Sequence, residues 1–341
     1  MANNESYSRQ LSSGIGTGWN RFWFTPRDTM GVALLRVLVG LMALYFVVSH
    51  TADLTRWFAA DGLLPVKTVE FINGPALFGN FRTSDTQEFN GRFSIFLLAD
   101  SAGQLWILHS LAAISAVMMV VGFHSRIAAI LTLFFVLSYV HRAPFLCSTF
   151  EPVLCFSLLY LCLAPVGSSI SIDRRIRNRQ DSPPPPTVTV AAGLAARLIQ
   201  IHTVAIMATM ALTMLGSEQL IIQSDEPMPV GGAWWHGDAV WDLINRSESR
   251  LVDLTWMGRY PMLVDASTHA IMIFQFAFIV LVWNSVTRQL MLILAIPFWA
   301  FLIALTGQVS FGLMMLIANL SFVDPSGIRR FISGLVPAAA K

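Results

Sequence analysis

The run from Met30 to His50 holds one charged residue, Arg36, and is otherwise almost wholly apolar. A helix needs roughly 20 such residues to cross a hydrocarbon core. No water bonds the main chain inside a bilayer, so a spanning run must close its own hydrogen bonds. Seven more runs follow: Leu105 to Phe123, Ile127 to Val140, Pro152 to Val166, Ala191 to Leu215, Ala266 to Trp283, Leu290 to Thr306 and Val309 to Val323. The chain is 55% hydrophobic and 12% charged, whereas about a quarter of a soluble domain is charged. The expected fold class is an all-α integral membrane protein, a bundle of about eight transmembrane helices. The third, fourth and eighth runs are short and are expected to borrow flanking residues or to end under neighbouring helices.

Cytoplasmic loops retain Lys and Arg, which orients the bundle. With the N-terminus inside, the inner segments hold Arg9, Arg21, Arg27, Arg126, Arg174, Arg175, Arg177, Arg179, Arg288, Arg329, Arg330 and Lys341. The charged residues of the outer loop Ser217 to Asp265 are mostly Asp and Glu. The expected organisation is a cytoplasmic segment over 1–29, a transmembrane domain over 30–323 and a cytoplasmic tail over 324–341, in the plasma membrane. Residues 1–29 lack the charged start, apolar core and cleavage site of a secretory signal. A linker over 167–189, with its arginines and the prolines Pro183 to Pro186, separates two groups of four runs and reads as a polyproline II spacer. The net charge of +2 and the lack of a zinc-finger or basic-stripe pattern argue against a nucleic-acid partner.

Two outer loops are too long to be simple connectors. The first, Thr51 to Ala102, interleaves Trp57, Phe58, Phe71, Phe78, Phe81, Phe89, Phe93 and Phe96 with charges. It opens with Thr55-Arg56-Trp57-Phe58-Ala59-Ala60-Asp61-Gly62-Leu63-Leu64-Pro65, a short amphipathic stretch closed by a turn. The second contains Trp234-Trp235-His236-Gly237-Asp238. Disordered segments are poor in aromatics, so both loops are expected to fold as interfacial amphipathic helices on the outer helix ends. Trp57, Asp61, Trp235 and Gly237 are their candidate ligand-contacting residues. The three cysteines, Cys147, Cys155 and Cys162, read as small packing residues.

Ionisable groups at membrane depth face a bundle interior and are site candidates by default. His50, His109, His141 and His269 fall near outer helix ends, with Arg142 and Glu151. Of these, His109, His141, Arg142, Glu151 and His269 are the candidate catalytic set. Arg142 and Glu151 flank a turn and are expected either to close it as an ion pair or to anchor a substrate. No two histidines have i, i+4 spacing and no His-Glu-x-x-His run occurs, so no metal is expected. Arg36 is expected to snorkel or to bond the carbonyls of a neighbouring helix. Gln275, Trp299 and Gln308 are expected to hydrogen-bond across helices, helped by a kink at Pro297.

The chain resembles the horizontally transferred transmembrane (HTTM) domain family, which includes the membrane region of vitamin K-dependent gamma-carboxylase. The likeness is carried by Leu34 to Gly40 with Trp57 to Pro65, by Gly122-Phe123-His124-Ser125-Arg126 through His141-Arg142-Ala143-Pro144, by Trp235-His236-Gly237-Asp238-Ala239, and by Phe311-Gly312-Leu313-Met314-Met315-Leu316. It covers most of 30–325. The resemblance implies a multispan bundle with a hydrophobic and polar cavity and, for the carboxylase branch, a quinol cofactor, oxygen, carbon dioxide and a glutamate-containing substrate. The chain departs from that branch. The stretch Ala208 to Gly216 lacks the lysine that the family uses as a base, and the only lysines are Lys67 and Lys341. A buried lysine can lose its proton near neutrality; arginine cannot replace it. Trp299 stands where a family histidine is expected.

Three functions remain open on these residues. One is a protein that binds a lipid, a quinone or a membrane-protein partner without catalysis. The second is an enzyme of quinone or lipid chemistry working through the outer His/Glu set, for which acid–base chemistry needs groups of separated pKa. The third is a transporter, for which broken helices or repeated halves are the expected sign.

Overall fold

The computed structural model describes residues 7–59, 61–73, 93–180, 187–215, 232–246 and 251–335. The proline run Pro183 to Pro186, the aromatics Phe78, Phe81 and Phe89, and the stretch from Ser217 to Gly231 lie outside these residues. In chain order the helices are α1 (Tyr7–Phe24), α2 (Thr29–Ser49), α3 (Leu54–Phe58), α4 (Val66–Asn73), α5 (Ala102–Val121), α6 (Ser125–Arg142), α7 (Phe150–Cys162), α8 (Ile172–Arg179), α9 (Val190–Leu215), α10 (Gly232–His236), α11 (Ala239–Asn245), α12 (Pro261–Leu281), α13 (Ser285–Thr306), α14 (Val309–Asn319) and α15 (Pro325–Leu335). Two-residue strands, β1 (Arg27–Asp28) and β2 (Val188–Thr189), pair antiparallel.

Six helices, α2, α5, α6, α9, α12 and α13, are long and apolar enough to cross a membrane. Their outer faces carry large apolar groups in the open, such as Ile273, Val280 and Ile293, an arrangement suited to hydrocarbon and not to water. The molecule is an all-α, membrane-embedded protein. The run Ile127 to Val140, short by hydropathy, belongs to this set because Ser125, Arg126, His141 and Arg142 extend it to 18 residues. The runs in α7 and α14 form shorter apolar helices, Phe150–Cys162 and Val309–Phe322. The polar start of the chain is helical too. In α1 the residues Trp19, Phe22 and Trp23 fall on one face, with Trp19 and Trp23 ring centroids 5.7 Å apart and the Arg197 guanidinium 4.5 Å from the Phe22 ring.

Two compact units divide the chain: Met1–Leu198 with Asp324–Lys341, and Ile199–Val323. In the first, α2 packs on α5, α6 and α7. Small residues line those contacts: Ala33 and Ala43 of α2, Ala116 of α5, and Ala128 and Ala129 of α6 have no exposed surface. Without a side chain, Gly40 lets α5 approach until an added Cβ would lie 3.0 Å from Val120. Dispersion between close backbones is the main attraction open to helices already solvated by lipid.

The arginine-rich end of this unit is tied by carboxylates. Asp28 caps α2 by accepting the Met30 N–H at 2.8 Å and receives both Nε and Nη2 of Arg329 from α15, at 2.9 and 2.7 Å. Asp173 of α8 caps the start of α6: Oδ1 accepts from the His124 N–H, and Oδ2 from the Ser125 N–H and hydroxyl, all within 2.8 Å. The His124 backbone is left-handed, with φ 44°. Arg36 reaches the same knot, donating to the Ile170 carbonyl and to the Ser125 hydroxyl. It is fully buried and bonds carbonyl and hydroxyl oxygens of neighbouring segments instead of snorkelling.

In the second unit α12, α13 and α14 pack in sequence order, and α11 lies against α12 and α13. Gln200 of α9 donates to the Ser321 carbonyl at 2.6 Å. Pro297 sits inside α13, where its ring removes one main-chain donor.

Burial alone would raise the Asp28 and Asp173 carboxyls, but their hydrogen bonds outweigh it and hold both below the ordinary value of 3.8. The stability they contribute is complete above the unfolded pKa and is lost as pH falls through the lower folded values. Thermal unfolding in detergent will therefore show stability falling steeply below about pH 4. Asp173→Asn, which removes the charge, will flatten that slope and cost about 1 kcal/mol at neutral pH.

Candidate functional site

The Thr55 to Pro65 motif folds as one turn of helix, α3, followed by a reversal. Leu63 N–H bonds the Arg56 carbonyl at 2.8 Å and Leu64 N–H the Trp57 carbonyl at 3.0 Å. Gly62 is required there, since an added Cβ would lie 2.8 Å from the Arg56 carbonyl. The reversal leaves the Leu64 and Phe58 carbonyls pointing inward, and Arg142 of α6 donates to both, at 2.6 and 3.5 Å. Its guanidinium stands 5.5 Å from the centre of the Phe58 ring. The two stretches are thus one structural device, with Arg142 completely buried at its centre. Trp57 is half-buried on this device and Asp61 is exposed.

The expected ion pair between Arg142 and Glu151 is not made. Glu151 accepts instead from the Ser148 N–H and hydroxyl at 2.6 and 2.9 Å, because a carboxylate in the first turn of a helix finds free N–H groups nearer than a cation across the turn. His109, buried in α5, bonds the Tyr139 hydroxyl through Nδ1 at 2.7 Å and the Thr51 hydroxyl through Nε2 at 3.0 Å. Tyr139 is a hub: the rings of Phe96, His50, Phe46 and Phe58 lie 4.2, 4.9, 5.8 and 5.9 Å from it. His141 bonds the Phe93 carbonyl at 2.9 Å. Around Tyr139 the structure brings together His50, His109 and the Arg142 device, while Glu151 stays with its own turn. The candidate set did not include Tyr139 or Thr51. The signal for Tyr139 was its place one helical turn before Arg142, on the same face.

His269 belongs to the second unit. Half-exposed on α12, it pairs with Asp265 at 2.9 Å, one turn earlier on the same helix. Gly237 adopts φ +87°, and an added Cβ would strike Asp265 at 1.9 Å. Thr268, fully buried, pins this loop: its hydroxyl donates to the Gly237 carbonyl at 2.8 Å and accepts the Val240 N–H at 3.2 Å. Trp235 is exposed, whereas its neighbour Trp234 turns inward.

Trp234 lines a cavity of about 200 Å³ together with Met210 and Met214 of α9, Gln275 of α12, Trp299 and Thr306 of α13, and Gln308, Phe311 and Gly312 at the start of α14. Gln275 and Trp299 are 0% and 1% exposed. Among the described residues, neither amide atom of Gln275 and not the Trp299 indole nitrogen has a hydrogen-bond partner. The cross-helix bonds expected of these two residues are therefore not made. Each lost bond at a buried polar atom costs about 1–3 kcal/mol, so this edge of the cavity holds unmet hydrogen-bonding capacity: two donor groups and an acceptor. The side chains lining it are apolar, amide, hydroxyl or indole groups, and none of them titrates near neutrality. Met210 and Met214 of α9, the loop residue Trp234 and Trp299 all meet here.

No family model, curated protein or solved structure matches the chain.

Arg142→Gln will remove charge-assisted bonds to two carbonyls and cost about 2–3 kcal/mol, read as a lowered unfolding midpoint in detergent. Glu151→Gln keeps a hydrogen-bond acceptor for Ser148 and will cost less than about 1 kcal/mol.

Proposed function

We propose that this protein is a multispan plasma-membrane protein of the HTTM-like fold that binds, without transforming, a small neutral molecule carried in the lipid, such as the head group of a quinone. In this reading there are eight spans, both termini are cytoplasmic, and α3, α10 and α11 lie as interfacial helices on the outer side. The observation that carries it is the pair of buried, unpaired side chains, Gln275 and Trp299, at the edge of one cavity. An oxygen of the ligand accepts from the Trp299 indole and from the Gln275 amide nitrogen, and a hydroxyl, where present, donates to the Gln275 oxygen. The cavity is smaller than the ~300–1,000 Å³ typical of drug-sized pockets, so it suits a single ring or a comparably small head group. Binding without chemistry is favoured because acid–base catalysis needs a titratable partner, and the cavity offers amide, indole and hydroxyl groups instead. The His109, His141 and Glu151 side chains, each held by the hydrogen bonds of its own surroundings, add less support to an enzyme.

Gently purified protein will release one such molecule on solvent extraction, identified by mass spectrometry. Trp299→Phe and Gln275→Leu will each weaken its retention about tenfold. Ligand-free Gln275→Leu will be as stable as the ligand-free parent or more so, because an unpaired buried amide is replaced by an apolar group of similar size. Equal retention by both variants would overturn the proposal.

A further inference from the structure

At the arginine-rich end of the first unit a groove of about 440 Å³ runs between the start of α6 and α8, lined by Phe123, His124, Arg126, Ile127, Ile176 and Arg177 with Ser125 and Asp173 at its base. Its two guanidiniums, Arg126 and Arg177, outnumber its one carboxylate, Asp173, so the lining is net positive. Both oxygens of Asp173 are engaged by the α6 cap. Arg126 is exposed and makes no hydrogen bond or ion pair among the described residues. Arg177 donates Nη2 to the Gly167 carbonyl at 2.9 Å, while its buried Nε has no partner among the described residues. Arg174, Arg175 and Arg179 belong to the same short helix as Arg177 but do not line the groove.

The walls are as informative as the charge. Ile176 and Phe123 are exposed beside these arginines, and the exposed apolar face of α6 continues from the groove through Ile127, Ile130 and Leu131, at 56%, 50% and 39%. A soluble anion uses the arginines and leaves that face in contact with nothing of its own. A phospholipid uses both.

We propose that this groove is a binding site for an anionic phospholipid of the adjoining leaflet. Its phosphate is held between Arg126 and Arg177, and its acyl chains lie along Ile127, Ile130 and Leu131. Guanidinium groups match phosphate oxygens with paired donors. The cationic group of a zwitterionic lipid would be repelled by the same two guanidiniums, Arg126 and Arg177, and this sets the preference for net negative charge. The site is independent of the cavity at Gln275.

The test is native mass spectrometry of the full chain released from mixed phosphatidylglycerol and phosphatidylcholine nanodiscs. The parent protein is expected to retain phosphatidylglycerol roughly tenfold over phosphatidylcholine, and R126Q/R177Q to lose most of that preference. R175Q/R179Q removes the same charge from positions that do not line the groove and is expected to keep most of the preference. If R126Q/R177Q does not fold, R126Q alone, at an exposed position, reads out the same loss. Equal retention of the two lipids by the parent would overturn the proposal, as would equal losses in the two double variants, which would mean diffuse surface charge. Displacement of the lipid by millimolar inorganic phosphate would assign the groove to a soluble anion and would also overturn it.

Discussion

A guanidinium removed from water and bonded to main-chain carbonyls organises one end of the first unit. Where α3 ends and the chain reverses, the Phe58 and Leu64 carbonyls have no helical partner, and an unbonded carbonyl at membrane depth is expensive. Arg142 meets both from the last turn of α6. Few side chains suit the position: lysine offers one point of donation and gives up its proton when desolvated, whereas arginine offers several donors and remains charged. The loop and the helix hold each other, and the Tyr139 cluster fills the space beneath. Arg36 does the same work at the opposite end of α2, where the Ile170 carbonyl and the α6 cap converge.

Around Tyr139 the histidines, Thr51 and Glu151 each have a partner, so the polar residues there serve as joints. In the second unit the polar residues of the loop are pinned by Thr268, yet Gln275 and Trp299 beside them are left unpaired. Arg142 Nε and Nη1 are likewise buried without a partner among the described residues; what distinguishes Gln275 and Trp299 is that their open bonds border a cavity. Packing defects are apolar and small; this one has hydrogen-bonding capacity on one edge.

The spans were legible because hydrophobicity over a long window depends on composition and not on contacts, and the apolar runs became helices with shifted ends. The ends moved where a residue's role is set by three-dimensional partners: Ser125 and Arg142 read as loop but belong to α6, since Asp173 caps one end and the motif turn receives the other. Residue type singled out Arg142, Gln275 and Trp299 as polar groups in or beside apolar runs. It did not identify their partners. The pairing of Arg142 with Glu151 followed from opposite charge, but Ser148 lies nearer to Glu151, and two carbonyls of a distant loop lie nearer to Arg142. The importance of Gln275 rests on something a sequence does not display, the lack of a group within bonding distance of its amide among the described residues.

The open bonds at Gln275 and Trp299 matter most when weighed against the commonest molecules around a membrane protein, its own lipid tails. A methylene chain entering this space would bury surface already buried in the bilayer, so it would gain little, and it would leave the amide and the indole unsatisfied. A molecule bearing even one well-placed oxygen relieves them. In the proposed reading, the cavity sorts a rare guest from an overwhelming excess of hydrocarbon by rejecting the solvent itself, a form of selectivity that needs neither charge nor a close fit.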